Sequence, residues 1–345
     1  MDPAKFTLCA TPEELDTAMK SLGEASVLFV DCEGDNLGVK GGRLSVVSVG
    51  ALTPEPRIFL IDAIALDTAA LRPIFDLLTS NNVQKVVFDG RMYQNALFYD
   101  HGGVLMNSVL DLQLADVKSR SVRGEGAEEQ FDRLSPYIVR GEVRGNERLY
   151  REVHKLSGLG QVIEEHDVDV GVADAKLKLG RFSHDTWSTR PLPQIALRYA
   201  ANDVPLIAAL HSDFVEEGFI DDSLLAQSAR YVQMWTKGGQ PAENDTYKLH
   251  ALLPLGILDA LSGYSADCRG CGRPLPSDCF SKAAWNDASK RNCLVCRAII
   301  VRSARQRQFE KDRYNSYRDY YDDDSDEGMG SFAFGGYEYD SDYAF

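Results

Sequence analysis

The sequence predicts an α/β fold for one large domain, followed by a small cysteine-rich module and an acidic tail. Three observations predict this organisation: strand-like apolar runs precede alternating helical patterns, two Cys-x-x-Cys pairs lie near the C-terminus, and the final residues are low-complexity and acidic. The chain has 345 residues, 44% of them hydrophobic, which is enough for a large core and a small module. Strands followed by alternating helices indicate an α/β core of about 215–260 residues.

The first predicted element is a helix that begins after Thr11. Thr11 can cap the helix, Pro12 suits its first position, and Glu14 completes a capping box. The residues that then form one apolar face are Leu15, Ala18, Met19 and Leu22.

Strands and helices alternate through the next segment. The three strand candidates, separated by Gly-rich or Pro-rich turns, are SVLFVDCE, RLSVVSVGAL and RIFLIDA. Helical spacing of the apolar residues Leu71, Ile74, Phe75 and Leu78 predicts a helix. A short buried strand, Lys85–Phe88, and a helix near Arg91–Tyr99 follow.

The second half of the large domain is less regular. Residues 118–148 are rich in Arg, Glu and Gly, which predicts a long mobile insertion, with a short element at SPYIV as an alternative. Helical patterns resume at Leu149–Glu165 and at Leu192–Glu216, where Pro205 is expected to kink the helix or to start a new one. A connector at 238–245 and a last apolar segment, KLHALLPLGILDAL, complete the domain.

Two carboxylates follow the first buried strand. Asp31 and Glu33 are two positions apart in FVDCEGD, so in a strand both side chains point to the same face. Like charges this close repel unless a cation lies between them, and Mg²⁺ or Mn²⁺ prefers carboxylate oxygens. The alternative is that both residues begin a solvent-exposed turn.

Two further patterns bear on the same chemistry. Tyr199 and Asp203 are four positions apart on a predicted helix and therefore share a face, although such pairs are usually structural. Asp89 follows the strand Lys85–Phe88, where it is either an acid at the tip of a strand or an ordinary turn and cap residue.

The ordered set of these motifs resembles a known family. VDCEG, VLDLQLADV and RPLPQIALRYAANDV are similar to stretches of 3′–5′ exonucleases with four acids and a tyrosine, the RNase D-like and Werner-type domains of the RNase H-like superfamily, and in particular the proteins related to Egalitarian. The resemblance covers about Ser26 to Val215. It implies a mixed five-stranded sheet flanked by helices, in an exonuclease-like domain at 1–262 with its core at about 26–216.

The resemblance also implies roles for the acidic residues. Asp31, Glu33 and Asp203 would hold a first Mg²⁺ or Mn²⁺ that activates the attacking water, and Tyr199 would orient that water. Asp31 would bridge to a second ion that stabilises the leaving 3′-oxygen.

The fourth acid of the family is missing. The position that carries the second-metal aspartate in relatives is occupied by Tyr93, and a phenol with an ordinary pKa of about 10 is no substitute at neutral pH. Asp89, one helical turn upstream, is a candidate substitute that would reach the metal through water. Asp111 matches a recurring family aspartate and is expected to cap the next helix.

A second metal site is predicted at the cysteine pairs. Cys268 and Cys271 form one Cys-x-x-Cys, and Cys293 and Cys296 form another with 21 residues between the pairs, which indicates a structural Zn²⁺ held by four thiolates in a module at 263–312. Cys279 is expected to be a spare. The pattern, with Phe-Ser-Lys at 280–282, is similar to a zinc domain of fungal adaptors that couple RNA interference to heterochromatin; a plain zinc ribbon remains the alternative.

The charge is unevenly distributed. The net charge is −15, yet residues 269–313 hold eleven bases against four acids, and residues 319–345 hold nine acids and no base. The basic module is compatible with nucleic-acid binding, which the acidic tail at 313–345, expected to be disordered, can mask. No apolar run approaches a membrane span or a signal peptide, so a cytoplasmic or nuclear protein without a membrane partner is expected.

Two functions are compatible with these observations. The first is a metal-dependent 3′–5′ exonuclease that acts on single-stranded RNA or DNA by a two-metal mechanism weakened at Tyr93. The second is a catalytically inactive adaptor that binds nucleic acid and recruits protein partners through the zinc module.

Overall fold

The computed structural model describes residues 5–51, 56–151, 153–170, 186–236, 239–258 and 264–322. It confirms the predicted fold class, because a mixed sheet is flanked by helices. Within these described residues, no helix combines the length and the apolar character that crossing a membrane requires.

The central sheet has six strands, one more than the family resemblance implied. In chain order they are β1 (Phe6–Cys9), β2 (Val27–Asp35), β3 (Arg43–Ala51), β4 (Arg57–Asp62), β5 (Gln84–Val87) and β6 (Val109–Asp111). Their spatial order is β1-β4-β3-β2-β5-β6, with β3 antiparallel to β2 and β4. The additional strand β1 has only four residues and pairs with the distant β4, so a local pattern gave no sign of it.

Twelve α-helices lie among the described residues. They are α1 (Pro12–Leu22), α2 (Arg72–Thr79), α3 (Arg91–Asp100), α4 (Leu112–Val122), α5 (Ala127–Leu134), α6 (Arg140–Gly145), α7 (Glu147–Tyr150), α8 (Leu159–Glu165), α9 (Gln194–Glu216), α10 (Asp222–Val232), α11 (Lys282–Asn286) and α12 (Leu294–Asp322). The capping box of α1 is present as predicted: Thr11 Oγ1 accepts from the Glu14 backbone N–H, and Glu14 Oε2 accepts from that of Thr11. One helix, α9, passes through Pro205, so no new helix begins there.

Helix α9 crosses the sheet and packs against β2, β3 and β4. The close approach depends on Gly50 in β3, because a Cβ at that position would lie 2.4 Å from Cγ1 of Val204. Val204 directly follows Asp203. Gly50 therefore lets the helix bring Asp203 down to the sheet.

The stretch expected to be a mobile insertion, 118–148, contains the end of α4 and the helices α5 and α6. These short helices have few apolar positions each, which is why the sequence pattern gave no helical signal. The predicted helix at Leu149–Glu165 is also wrong in its middle, where β7 (Val153–Lys155) pairs antiparallel with β8 (Leu252–Pro254).

The cysteine-rich module packs on this same stretch. Besides the main core under the sheet, a second hydrophobic cluster joins residues of α5–α7 to the module, including Leu134, Ile138, Val143, Tyr150, Leu275, Phe280, Leu294 and Val295. We name this cluster the joint core. The tail predicted at 313–345 begins inside α12, which continues to Asp322, and residues 323–345 lie outside the described part of the chain.

Candidate active site

Three carboxylates meet at the surface of the sheet. Asp31 and Glu33 come from β2 and Asp203 from α9, and one oxygen of each lies within 4.8 Å of the other two. The shared face of Asp31 and Glu33 is as the strand spacing predicts. The contact with Asp203, 170 residues further along the chain, depends on the packing of α9 across the sheet.

Burial makes this carboxylate cluster electrostatically unfavourable in the absence of a cation. Burial raises the pKa of Asp31 to about 7, although the hydrogen bond from Tyr93 opposes the shift. Burial, followed by the charges of neighbouring carboxylates, raises the pKa of Glu33 and of Asp203 well above the ordinary values. Oxygen Oδ2 of Asp31 is buried and has no hydrogen-bond partner in the described part of the chain. A divalent cation fits this set of donors, because it would offset the repulsion and ligate the unpartnered oxygen.

Tyr199 lies one helical turn before Asp203, as predicted. Its half-buried ring packs edge-on against Trp187, with the ring centroids 6.2 Å apart. Burial and the charge of Asp203 raise the pKa of its hydroxyl above the ordinary value. Tyr199 is therefore protonated at neutral pH and can act as a hydrogen-bond donor beside the carboxylates.

Tyr93, the residue at the position of the missing acid, contacts the cluster directly. Its hydroxyl donates to Oδ1 of Asp31 and lies 3.1 Å from the carbonyl oxygen of Phe88. Burial and the charge of Asp31 raise its pKa well above the ordinary value. Tyr93 is consequently a neutral donor that occupies one oxygen of Asp31, not an anionic ligand.

Asp89 is not part of the carboxylate cluster, and its role as a substitute ligand that reaches the metal through water stays a prediction. Its two oxygens accept from Nε and Nη2 of Arg91 at 2.6 and 2.7 Å. The buried Arg91 guanidinium also lies over the rings of Tyr231 and Trp235, at 5.0 and 5.2 Å. Asp89 is a turn residue with φ of 53°, and its carboxylate is committed to a buried ion pair.

Asp111 is a cap, as the sequence predicted. Its side chain accepts from the backbone N–H of Gln113 at the start of α4, and also from those of Asp89 and Gly90. It therefore stabilises the turn between β5 and α3 from the neighbouring strand.

Arg190 connects the segment before α9 to the sheet, a contact that the sequence pattern did not indicate. Its guanidinium donates to both oxygens of Asp62 at 2.7 Å and to the carbonyl oxygen of Trp187 at 2.7 Å. These bonds fix the chain just before α9 to the end of β4. The signal available was Arg190 in the motif RPLPQIALRYAANDV, but its partner Asp62 is 128 residues away.

The four cysteines of the module also converge. The Sγ atoms of Cys268, Cys271, Cys293 and Cys296 all lie within 4.8 Å of one another, and all four residues are buried. The guanidinium of Arg273, itself buried, donates from Nε to Cys271 Sγ at 3.2 Å. A buried cation beside a sulfur favours the thiolate form, which is the form that binds metal.

The backbone around the cysteines is shaped for a compact centre. The N–H of Cys293 lies 3.2 Å from Cys268 Sγ, and a Cβ at Gly270 would lie 2.8 Å from Cys296 Sγ. These residues fit a tetrahedral Zn²⁺ with four sulfur ligands. Cys279 is outside the group, as predicted, and burial raises the pKa of its thiol to about 12.

Parts of this chain are similar to known proteins. Residues 6–123 match a family described as 3′-5′ exonuclease. The fold is similar to that of RNase D from Trypanosoma brucei solved in complex with RNA U12, with a TM-score of 0.52 and 23% identity, covering 82% of this chain and 88% of that chain. RNase D from Escherichia coli has a TM-score of 0.42 at 15% identity, covering 71% of this chain and 57% of that chain.

Two curated relatives are each similar to about two thirds of this chain. The piRNA biogenesis protein EXD1 of Xenopus laevis is 23% identical over 222 residues, 64% of this chain and 44% of the relative. The mouse protein of the same name (Mus musculus) is 23% identical over 227 residues, 66% of this chain and 35% of the relative. The chain thus spans less than half the length of these relatives.

Residues 6–123 are thus similar to a 3′–5′ exonuclease family. The fold of the chain is similar to that of the T. brucei RNase D.

Proposed function

We propose that this protein is a metal-dependent 3′–5′ exonuclease that acts on single-stranded nucleic acid, with Mg²⁺ or Mn²⁺ held by Asp31, Glu33 and Asp203. The observation that carries the proposal is the cluster of three carboxylates within 4.8 Å of one another. One member, Asp31, has a buried oxygen without a hydrogen-bond partner in the described residues. Such a cluster is unfavourable without a cation and favourable with one.

The residues of the site would have different roles in phosphodiester hydrolysis. A bound divalent ion would supply positive charge for the attacking water and for the phosphate. Tyr199, protonated because its pKa is raised, donates a hydrogen bond that orients the water. Tyr93 donates to Oδ1 of Asp31, one of the residues that would hold a second ion. The second-metal position is therefore weakened, and slow turnover is expected.

RNA is the proposed substrate. The T. brucei RNase D was solved with RNA U12, and the curated relatives are named for piRNA biogenesis. The same relatives support a role near RNA silencing. The resemblance of the cysteine module to fungal adaptors, with a protein partner bound through that module, stays a prediction, as does a cytoplasmic or nuclear location.

The cysteine centre is proposed to hold one structural Zn²⁺. Four buried sulfurs leave no open ligand position, so a stabilising role fits better than a catalytic one.

A second function, a catalytically inactive adaptor that binds nucleic acid, is favoured by Tyr93. A neutral phenol that occupies one oxygen of Asp31 lowers the number of anionic ligands from four, as in the family, to three. The fold and the groove can persist after catalysis is lost.

Degradation of a 5′-labelled single-stranded RNA in Mn²⁺ distinguishes the two functions. Stepwise shortening by the wild-type protein, abolished in Asp31→Ala, is the expected result. The matched control is Asp16→Asn, which removes an exposed carboxylate charge on α1, outside the cluster. The exonuclease proposal fails if wild type is inactive, and activity gained in Tyr93→Asp would then identify a nuclease disabled at that one ligand.

Metal binding gives a readout that does not depend on turnover. Titration calorimetry with Mn²⁺ is expected to give one ion per wild-type chain and two per Tyr93→Asp chain, because the new carboxylate completes the second position. Two ions bound by the wild type would contradict the weakened second site.

A further inference from the structure

An open cavity lies where the exonuclease-like domain, helices α5–α7 and the cysteine module meet. Its volume is about 790 Å³, within the range of ligand-binding pockets. Its apolar wall includes Leu149, Phe280, Trp285 and Leu294. We name it the junction groove. The carboxylate cluster lies elsewhere and contributes no residue to it.

The rim of the junction groove carries positive charge. Arg148 and Lys282 line it, both are exposed, and neither has an ion pair among the described residues. Lys118, also in the lining, is paired with Asp221 at 2.7 Å. The exposed Asp278 also lines the groove, so two cations and one carboxylate lie at its edge. An apolar wall with this net positive rim suits a segment that combines aromatic and acidic side chains.

The last ten residues of this chain, GYEYDSDYAF, have that composition in a period of two. The aromatic residues are at odd positions, Tyr337, Tyr339, Tyr343 and Phe345, and the acids are at even positions, Glu338, Asp340 and Asp342. When a chain is extended, alternate side chains point to opposite sides. An extended segment would therefore present one aromatic and one acidic face.

The length of the chain allows this segment to reach the groove. Leu294, in the groove lining, is the first residue of α12, whose 29 residues span about 43 Å. An extended chain covers that return distance in roughly 13 residues, which corresponds to residues 323–335. The ten residues that follow are the alternating ones.

From these observations we propose that the C-terminal segment 336–345 docks within its own chain into the junction groove. The aromatic side chains lie against Leu149, Phe280 and Trp285, and the acids lie towards Arg148 and Lys282. Docking would place three acids over the basic module and reduce its attraction for polyanions. This inference does not depend on the proposed nuclease activity.

Photo-crosslinking in the full chain tests the docking. With p-benzoylphenylalanine in place of Tyr343, irradiation is expected to crosslink the tail to residues 148–153 or 280–285, as mapped by mass spectrometry. Arg148→Glu combined with Lys282→Glu is expected to reduce the yield about tenfold, since each reversal replaces an attraction by a repulsion.

Two controls make the test specific. Lys290→Glu, an exposed position of the same module outside the groove, is expected to leave the yield unchanged. The photo-reactive residue at Ala344, on the acidic face, is expected to crosslink the groove less than at Tyr343. Absence of the crosslink, its formation elsewhere or between two chains, or insensitivity to the charge reversals would overturn the proposal.

Discussion

The Tyr93–Asp31 contact replaces a charge by a neutral donor at the carboxylate cluster. A carboxylate at position 93 would add to the repulsion among Asp31, Glu33 and Asp203, and it would need a second cation to offset it. The phenol instead gives a hydrogen bond to Asp31 Oδ1. The phenol therefore favours the metal-free protein, and under the proposed function it would leave a second metal without one ligand.

The repulsion among the three remaining acids leads to a prediction for Asp203→Asn. The variant is expected to be more stable than wild type without metal at pH 8, by about 1–3 kcal/mol in the free energy of unfolding. A carboxyl group whose pKa is raised by folding costs stability above its unfolded pKa of about 4, and the cost grows as the pH rises towards the folded value. The stability difference should accordingly shrink at pH 5, as measured by thermal unfolding at both pH values.

Mn²⁺ should reverse the order of stability of wild type and Asp203→Asn. At pH 8 the ion is expected to raise the Tm of wild type and to leave that of Asp203→Asn almost unchanged, because the variant lacks one of the three ligands. If Asp203→Asn were less stable than metal-free wild type at pH 8, the carboxylates would not be in mutual repulsion.

At the scale of elements, local sequence patterns predicted the features that depend on residues close together in the chain. The capping box of α1, the strand that carries Asp31 and Glu33, and the shared face of Tyr199 and Asp203 all depend on neighbouring residues, and the structure confirms each of them. The cluster itself could be inferred only through the family resemblance, because α9 reaches β2 by long-range packing at Gly50.

The elements that were missed depend on distant partners. Strand β1 forms only against β4, and β7 only against β8. Helices α5–α7 bury their few apolar residues in the joint core. The role of Asp89 was ambiguous for the same reason. The sequence indicated its position in a turn, but its partner Arg91 lies over the rings of the distant Tyr231 and Trp235.

Arg190 holds the segment that precedes α9, the helix that carries Asp203. Arg190→Lys is expected to lower the free energy of unfolding by about 1–3 kcal/mol, because an ammonium group cannot reproduce the bidentate pair with Asp62. Mn²⁺ binding should also weaken, since α9 carries Asp203. Unfolding in urea and Mn²⁺ titration measure the two effects.

Arg198→Lys is the matched control, because Arg198 is an exposed residue of the same helix. It is expected to leave both measurements unchanged. Unaltered Mn²⁺ affinity in Arg190→Lys, despite lower stability, would show that the Arg190–Asp62 pair stabilises the fold without positioning Asp203.

At the scale of the whole molecule, the cysteine module and helices α5–α7, which lie in or next to the predicted insertion, form one packed unit. The joint core draws apolar residues from α5–α7, from β7 and β8, and from both ends of the cysteine motif. Arg273 extends the contact to the segment after α10, where its guanidinium lies 3.8 Å from Sδ of Met234. The module therefore packs directly against the rest of the protein.

This packing predicts that loss of zinc destabilises residues far from the cysteines in sequence. Cys271→Ser is expected to lose the bound metal and to leave Arg273 buried without its thiolate partner, which is costly. The joint core would loosen, so limited proteolysis should cut the variant within residues 127–150 while the sheet stays resistant. Cys279→Ser, which alters a buried cysteine outside the cluster, should keep one equivalent of zinc and resist cleavage there. Zinc loss in Cys271→Ser without new cleavage within 127–150 would show that α5–α7 hold their structure independently of the module.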